Sequence, residues 1–193
     1  MKQLQFTIVF ILCGFFHSSS QTPRGVSIPG DFSPGTIVMP DNTLQEGHIK
    51  NNMKKSGEIV FLSADGRKIK YTASQVSGVS VDNTSYITTN NAFYKVVSDG
   101  AKIRLLRKAS NSSGIQYNGS EPVVADVGEG SYNDYFIQTV ETKKLQLVRK
   151  KDFEKIFTNA CADCTTLTED IRTNKLGFEE IEQAVALYNT CVK

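Results

Sequence analysis

From Thr36 to Arg107 the chain is a succession of short β-favouring runs cut by turn residues, and this punctuation limits the fold more than any other feature. The runs 36–39, 43–50, 58–62, 68–71, 79–81, 85–88, 93–98 and 102–107 are separated by such turns as Pro40-Asp41-Asn42, Ala64-Asp65-Gly66 and Ser98-Asp99-Gly100. That spacing is the mark of an antiparallel meander. In "ADGRKIKY", Asp65-Gly66 is expected to supply the positive φ angles of a tight hairpin turn, which puts Ile69 and Tyr71 on one face. The middle of the chain therefore reads as a β-rich core of eight to ten strands. A further hairpin follows, with "YFIQTV" and "LQLVRK" flanking Glu141-Thr142-Lys143.

At Asp152 the period changes. Phe153, Ile156, Phe157, Ala160, Cys164, Leu167 and Ile171 recur every three or four residues, which gathers them on one helical stripe with a break expected near Asp163. After Asn174 and Gly177 a second stripe runs through Phe178, Ile181, Ala184, Val185, Tyr188 and Val192, with Glu179 and Glu180 in its first turn. The expected fold class is α+β: an antiparallel β-rich meander or barrel-like domain over 36–150, then a disulfide-stapled helical hairpin over 151–193 that covers one face of the sheet. Residues 152–193 carry four basic and eight acidic groups, so docking onto the more basic remainder is favoured.

The N-terminus has the order of a secretory signal peptide: Lys2, an apolar run over 6–16, then Ser18-Ser19-Ser20-Gln21. The run is short of the roughly 20 residues that span a bilayer, and Ser18 and Ser20 suit cleavage before Gln21. A lipoprotein signal through Cys13 is the weaker reading, because Phe10, Ile11 and Leu12 precede it where small residues are wanted. The expectation is export to the periplasm or the medium, with no membrane span in the mature chain. Residues 21–35 hold Pro23, Pro29 and Pro34 and read as a flexible leader. Residues 109–133, rich in Ser, Asn and Gly, read as a mobile insertion between strands, and Tyr117, Tyr132 and Tyr135 around it as a candidate recognition surface.

Cys161 and Cys164 stand at CxxC spacing in "NACADC", with Cys191 near the end. A redox-active pair wants its first thiol at an exposed helix N-terminus, usually after a strand in a βαβ unit. Here the pair follows an apparent helix and encloses Asp163, which disfavours a thiolate. Zinc needs about four ligands, and cleavage leaves three cysteines and the distant His48, so no metal is expected. In an oxidising compartment the simpler reading is a disulfide pinning one helix to the other. Folding the helices about a turn near Lys175 sets residue 161 opposite 190 and favours Cys161 as partner of Cys191. Cys164 is better placed on the apolar stripe, however, and a break near Asp163 shifts the register.

The ending, Asp163-Cys164, an amphipathic helix and Tyr188-Asn189-Thr190-Cys191, is similar to the C-terminus of an uncharacterised family of secreted or envelope proteins of Bacteroidetes-type Gram-negative bacteria. The middle also resembles that family in Gly47-x-Ile49 after Pro-Asp-Asn, in Ile59-Val60-Phe61, in the spacing of Tyr71, Val76 and Gly78, and in "FYKVVSDGAKIRLLRK". The resemblance covers residues 36–193 and brings no activity with it. It implies a Cys164–Cys191 bond and leaves Cys161 as an addition of this sequence, half-buried and inert.

Other chemistries lack their parts. Ser-His-Asp hydrolysis would rest on His48 with no nucleophile elbow. The acidic pairs Glu169-Asp170 and Glu179-Glu180 fall on helix surfaces, where solvation explains them better than glycoside hydrolysis. The basic run Lys143, Lys144, Arg149, Lys150 and Lys151 reads as a solvated strand edge and helix start. After cleavage 21 basic residues face 20 acidic ones, which argues against a nucleic-acid partner. Asn83, Asn111 and Asn118 begin glycosylation sequons, relevant only in a eukaryotic host. The functional expectation is a non-enzymatic exported module that binds an envelope protein or glycan, or has a structural part there, without a cofactor. The alternative is a thiol-disulfide oxidoreductase using Cys161 and Cys164.

Overall fold

The computed structural model describes residues 26–110 and 130–191 in full and the backbone of 115–118 and 121–124. The signal segment 1–20 with Cys13, the sequon at Asn111 and the side chains of Tyr117 and Asn118 lie outside the described residues. In chain order the strands are β1 (Ser33–Val38), β2 (Leu44–Asn52), β3 (Glu58–Leu62), β4 (Lys68–Thr72), β5 (Gly78–Val81), β6 (Thr84–Thr89), β7 (Ala92–Ser98), β8 (Ile103–Lys108), β9 (Ile115–Asn118), β10 (Glu121–Val124), β11 (Tyr135–Thr139) and β12 (Leu145–Val148). The helices are α1 (Met53–Ser56), α2 (Phe153–Ala160), α3 (Thr165–Arg172) and α4 (Ile181–Thr190). Ten strands form one antiparallel sheet in the order β12-β11-β8-β7-β6-β5-β1-β2-β3-β4, so the class is α+β.

Half of that sheet cannot be flat. β2 pairs with β1 through residues 44–49 and with β3 through residues 48–52, so only its middle is shared. Thr72 at the end of β4 is level with Glu58 and, through it, Asn52; Gly78 at the start of β5 is level with Val38 and, through it, Leu44. In a flat sheet the two would be separated by ~26 Å along the strands and ~19 Å across them. The link 73–77 reaches at most about 21 Å, and it opens with a turn, the Gln75 N–H donating to Thr72 O at 3.1 Å. The sheet therefore rolls on itself around Ile37, Ile49, Ile59, Phe61, Val79 and Phe93. Two glycines face each other in the roll, Gly35 opposite Gly47. A Cβ on Gly47 would lie 2.6 Å from both Leu62 O and the Phe61 ring. Gly47→Ala is expected to lose about 2 kcal/mol in urea denaturation. Gly30→Ala, with nothing within 4 Å of its Cβ position, should stay within about 0.5 kcal/mol of wild type.

The other half of the sheet is layered. α2, α3 and α4 cover one face with Phe153, Phe157, Leu167, Ile171, Ile181 and Val185, which pack on Ile103, Leu105 and Ile137. On the opposite face Tyr94, Leu106 and Phe136 form a smaller cluster, the rings of Tyr94 and Phe136 meeting edge to face at 5.1 Å. Helices of eight to ten residues are too short to persist alone, so the sheet and the covalent link between them hold them in place.

Three expectations need correction. β1 begins at Ser33, inside the segment read as leader, and takes in Pro34; pairing with β5 starts only at Gly35, so the missing N–H of Pro34 is tolerated. Only Gly66 of the Asp65-Gly66 turn is left-handed (φ 84°), while the Asp65 carboxylate accepts from Ser63 Oγ and the Arg67 N–H, closing a longer loop. The insertion carries a hairpin of its own, β9 pairing with β10. The break expected near Asp163 is present: it separates α2 from α3 over residues 161–164, so the helical layer holds three helices.

Candidate functional site

The cysteines meet at the end of the helical layer. Cys164, just before α3, bonds to Cys191, just after α4, with the Cα atoms 6.1 Å apart. The break at 161–164 supplies the register shift that brings Cys164 rather than Cys161 to Cys191. Cys161 is wholly buried, not half-buried as expected. Burial, with Asp163 nearby, pushes its thiol up to about 12.

Around this bond the Asp163-Cys164 and Tyr188-Asn189-x-Cys191 residues form one polar clamp. The Tyr188 hydroxyl donates to Asp163 Oδ1 at 2.8 Å. Lys102, from the β7–β8 loop, places Nζ 2.9 Å from Cys191 O, 3.5 Å from Asp163 Oδ2 and 4.5 Å from the centre of the Tyr188 ring. Asn189 acts as a surrogate strand: its Oδ1 accepts from the N–H groups of Lys102 and Ile103 at 3.0 Å each, and its Nδ2 donates to Ile103 O at 2.9 Å and Val185 O at 3.0 Å. Gly100 makes room, since a Cβ there would lie 2.1 Å from Asn189 Cγ. Sequence reading missed Lys102 and Gly100. Asn189 did leave a trace, because it lies four residues after Val185 and so beside the apolar stripe.

The Tyr188 hydrogen bond, then Lys102, hold the Asp163 carboxyl below the usual carboxylate range. A pKa lowered by folding stabilises above the ordinary value near pH 4 and ceases to do so as pH falls through the lowered one. Asp163→Asn is therefore expected to melt below wild type at pH 7, with the gap closing as pH falls below about 4. Thermal melts across that range check the sign.

A second feature lies on the sheet between the two cores. Along β7, Phe93 enters the rolled core and Val97 packs on the helical one, with Lys95 between them. There a hollow of about 360 Å³ is lined by Asn51, Lys54, Tyr86, Lys95, Arg107 and Tyr132, among others. Lys54 sits 4.6 Å over the Tyr132 ring. Arg107 donates from Nη2 to the Tyr135 hydroxyl at 2.8 Å and stacks 4.4 Å from that ring. Tyr135 thus lines a neighbouring hollow of about 310 Å³, which shares Arg107 and adds Arg149 and Lys150. Of the tyrosines singled out from sequence, Tyr132 and Tyr135 border these hollows. Lys54, Lys95, Arg107 and Tyr86 escaped notice because they come from separate strands and from α1.

The remaining candidates have ordinary settings. His48 is half-buried in β2, opposite Pro34 and Leu62. Asp170 pairs with Lys175 at 3.0 Å, Glu179 with Lys150 at 2.9 Å, and Glu180 Oε2 accepts from the Gly177 N–H at 2.9 Å. Lys143, Lys144, Arg149, Lys150 and Lys151 are exposed around the edge strand β12. Asn83 is one of two left-handed residues in the β5–β6 turn. Among the described residues no group of three or more His, Cys, Asp or Glu gathers as a metal site, and no helix is long and apolar enough to cross a membrane. No protein-family model, curated protein or solved structure matches the chain.

Proposed function

We propose that the chain is an exported, non-enzymatic module of the periplasm or the cell exterior that binds a partner through the hollow between its two cores. The observation that carries this reading is the gathering of Lys54, Lys95 and Arg107 with Tyr86 and Tyr132 around one concavity. Export is supported by Lys2, the apolar run 6–16 and Ser18 to Gln21, and by the resemblance to secreted envelope proteins. The alternative, a thiol-disulfide oxidoreductase, fits less well. Cys164 is engaged with Cys191, and Cys161 is buried with a thiol that stays protonated at neutral pH.

Two assays on the mature protein test the reading. Pull-down from envelope extract should recover partners that the Lys95→Glu/Tyr132→Ala variant no longer recovers, while insulin reduction should stay at background. Identical partners for both proteins would contradict the proposed surface. Insulin reduction that disappears in both Cys161→Ser and Cys164→Ser would establish the alternative.

A further inference from the structure

We infer that this hollow binds an acidic saccharide, a sugar chain bearing carboxylate, sulfate or phosphate groups; the inference rests on reading the chain as an exported binding module. Tyr86, Lys95, Arg107 and Tyr135 stand directly opposite one another on β6, β7, β8 and β11, forming one row across the sheet. Like charges placed opposite each other on neighbouring strands oppose folding. Of the described cations elsewhere, Lys50, Lys70, Arg104 and Lys175 pair with carboxylates, while Lys55, Lys143, Lys144 and Arg149 stand alone in solvent; what distinguishes Lys95 and Arg107 is that they face each other. Among the described residues Lys54, Lys95 and Arg107 form no ion pair, and Arg107 Nε is buried without a hydrogen-bond partner. An oxyanion in the hollow offsets the repulsion between the facing Lys95 and Arg107.

The tyrosines and the shape narrow the class. Tyr86 and Tyr132 supply flat apolar faces with polar rims, suited to the C–H faces of a sugar ring. Arg107, fixed by Tyr135, stands between the two hollows, so consecutive acidic units of one chain reach both. Asp134 borders the second hollow, its Oδ2 accepting from the Ser131 N–H at 2.7 Å, which leaves the stronger attraction for an anion in the first. An extended peptide has no backbone to pair with here, because β6, β7 and β8 each already have a strand on both sides. Nucleic acid is disfavoured by 21 basic against 20 acidic residues in the mature chain.

Titration calorimetry at low salt tests this with four probes: an oligogalacturonate, a sulfated heparin disaccharide, a neutral cello-oligosaccharide and inorganic sulfate. An acidic saccharide should bind at least about tenfold more tightly than the neutral one and than sulfate alone. Lys54→Gln/Lys95→Gln should weaken it about tenfold or more while the melting temperature stays within about 2 °C of wild type, because Lys95 only gives up a like-charged neighbour and exposed Lys54 only its contact with the Tyr132 ring. The inference is overturned if neither acidic saccharide binds, if the neutral sugar or sulfate binds equally well, or if the double variant binds like wild type. Should the saccharides fail while Lys95→Glu/Tyr132→Ala still loses its envelope partners, the saccharide falls and the binding module stands. If that variant also keeps its partners, both fall.

Discussion

Cys164→Ala/Cys191→Ala is expected to lose roughly 3 to 4 kcal/mol and to melt about 10 °C below wild type, the largest effect of any change outside the core. The bond joins residues 27 apart in sequence. Cutting it frees α3 and the chain up to α4 to sample conformations that the crosslink denies the unfolded state. Both cysteines must be replaced, because a single replacement leaves Cys161 free to find the remaining partner. Urea denaturation with and without reductant separates the contributions. Reduced wild type should coincide with the double variant, and a loss under about 1 kcal/mol would show that noncovalent contacts alone hold the helical layer.

Asn189→Ala is the second, with an expected loss of about 3 kcal/mol. It strips partners from the N–H groups of Lys102 and Ile103 and from the carbonyl of Ile103. A buried or half-buried backbone group left without a partner costs about 1 to 3 kcal/mol. Asn189→Asp should recover only part of that stability, since a carboxylate still accepts the two N–H groups but faces Ile103 O without a proton to give. Gly100→Ala should also destabilise, and by less in the Asn189→Ala background, because the added methyl then no longer meets the Asn189 carboxamide. Denaturation of the four proteins of this cycle measures the coupling, and strict additivity would mean that Asn189 and Gly100 do not depend on each other.

Much of the architecture was legible in the sequence because turn residues and period carry local information. The runs 85–88 and 93–98 reappear as β6 and β7, and the two-residue turns Asp82-Asn83 and Asn90-Asn91 have the positive φ angles of tight hairpins. The change of period at Asp152 marks the helices, and the break near Asp163 is where expected. What stayed hidden is non-local. Nothing between Thr72 and Gly78 announces that β5 returns beside β1, since that follows from the stagger of β2 between two partners. Lys95 and Arg107 look like ordinary solvated residues of two strands, and only pairing sets them opposite each other. Asp163, Cys164, Tyr188, Asn189 and Cys191 were noticed as a sequence pattern, but their common partner, the loop holding Gly100 and Lys102, lies more than sixty residues from Asp163.

The measurement that bears most directly on the clamp is disulfide mapping of the unreduced, alkylated mature protein by peptide mass spectrometry. The predicted result is one crosslinked pair of peptides joining Cys164 to Cys191, with Cys161 alkylated only after denaturation. A peptide linking Cys161 to Cys164 or to Cys191, or three alkylated cysteines in a fully folded protein, would contradict it.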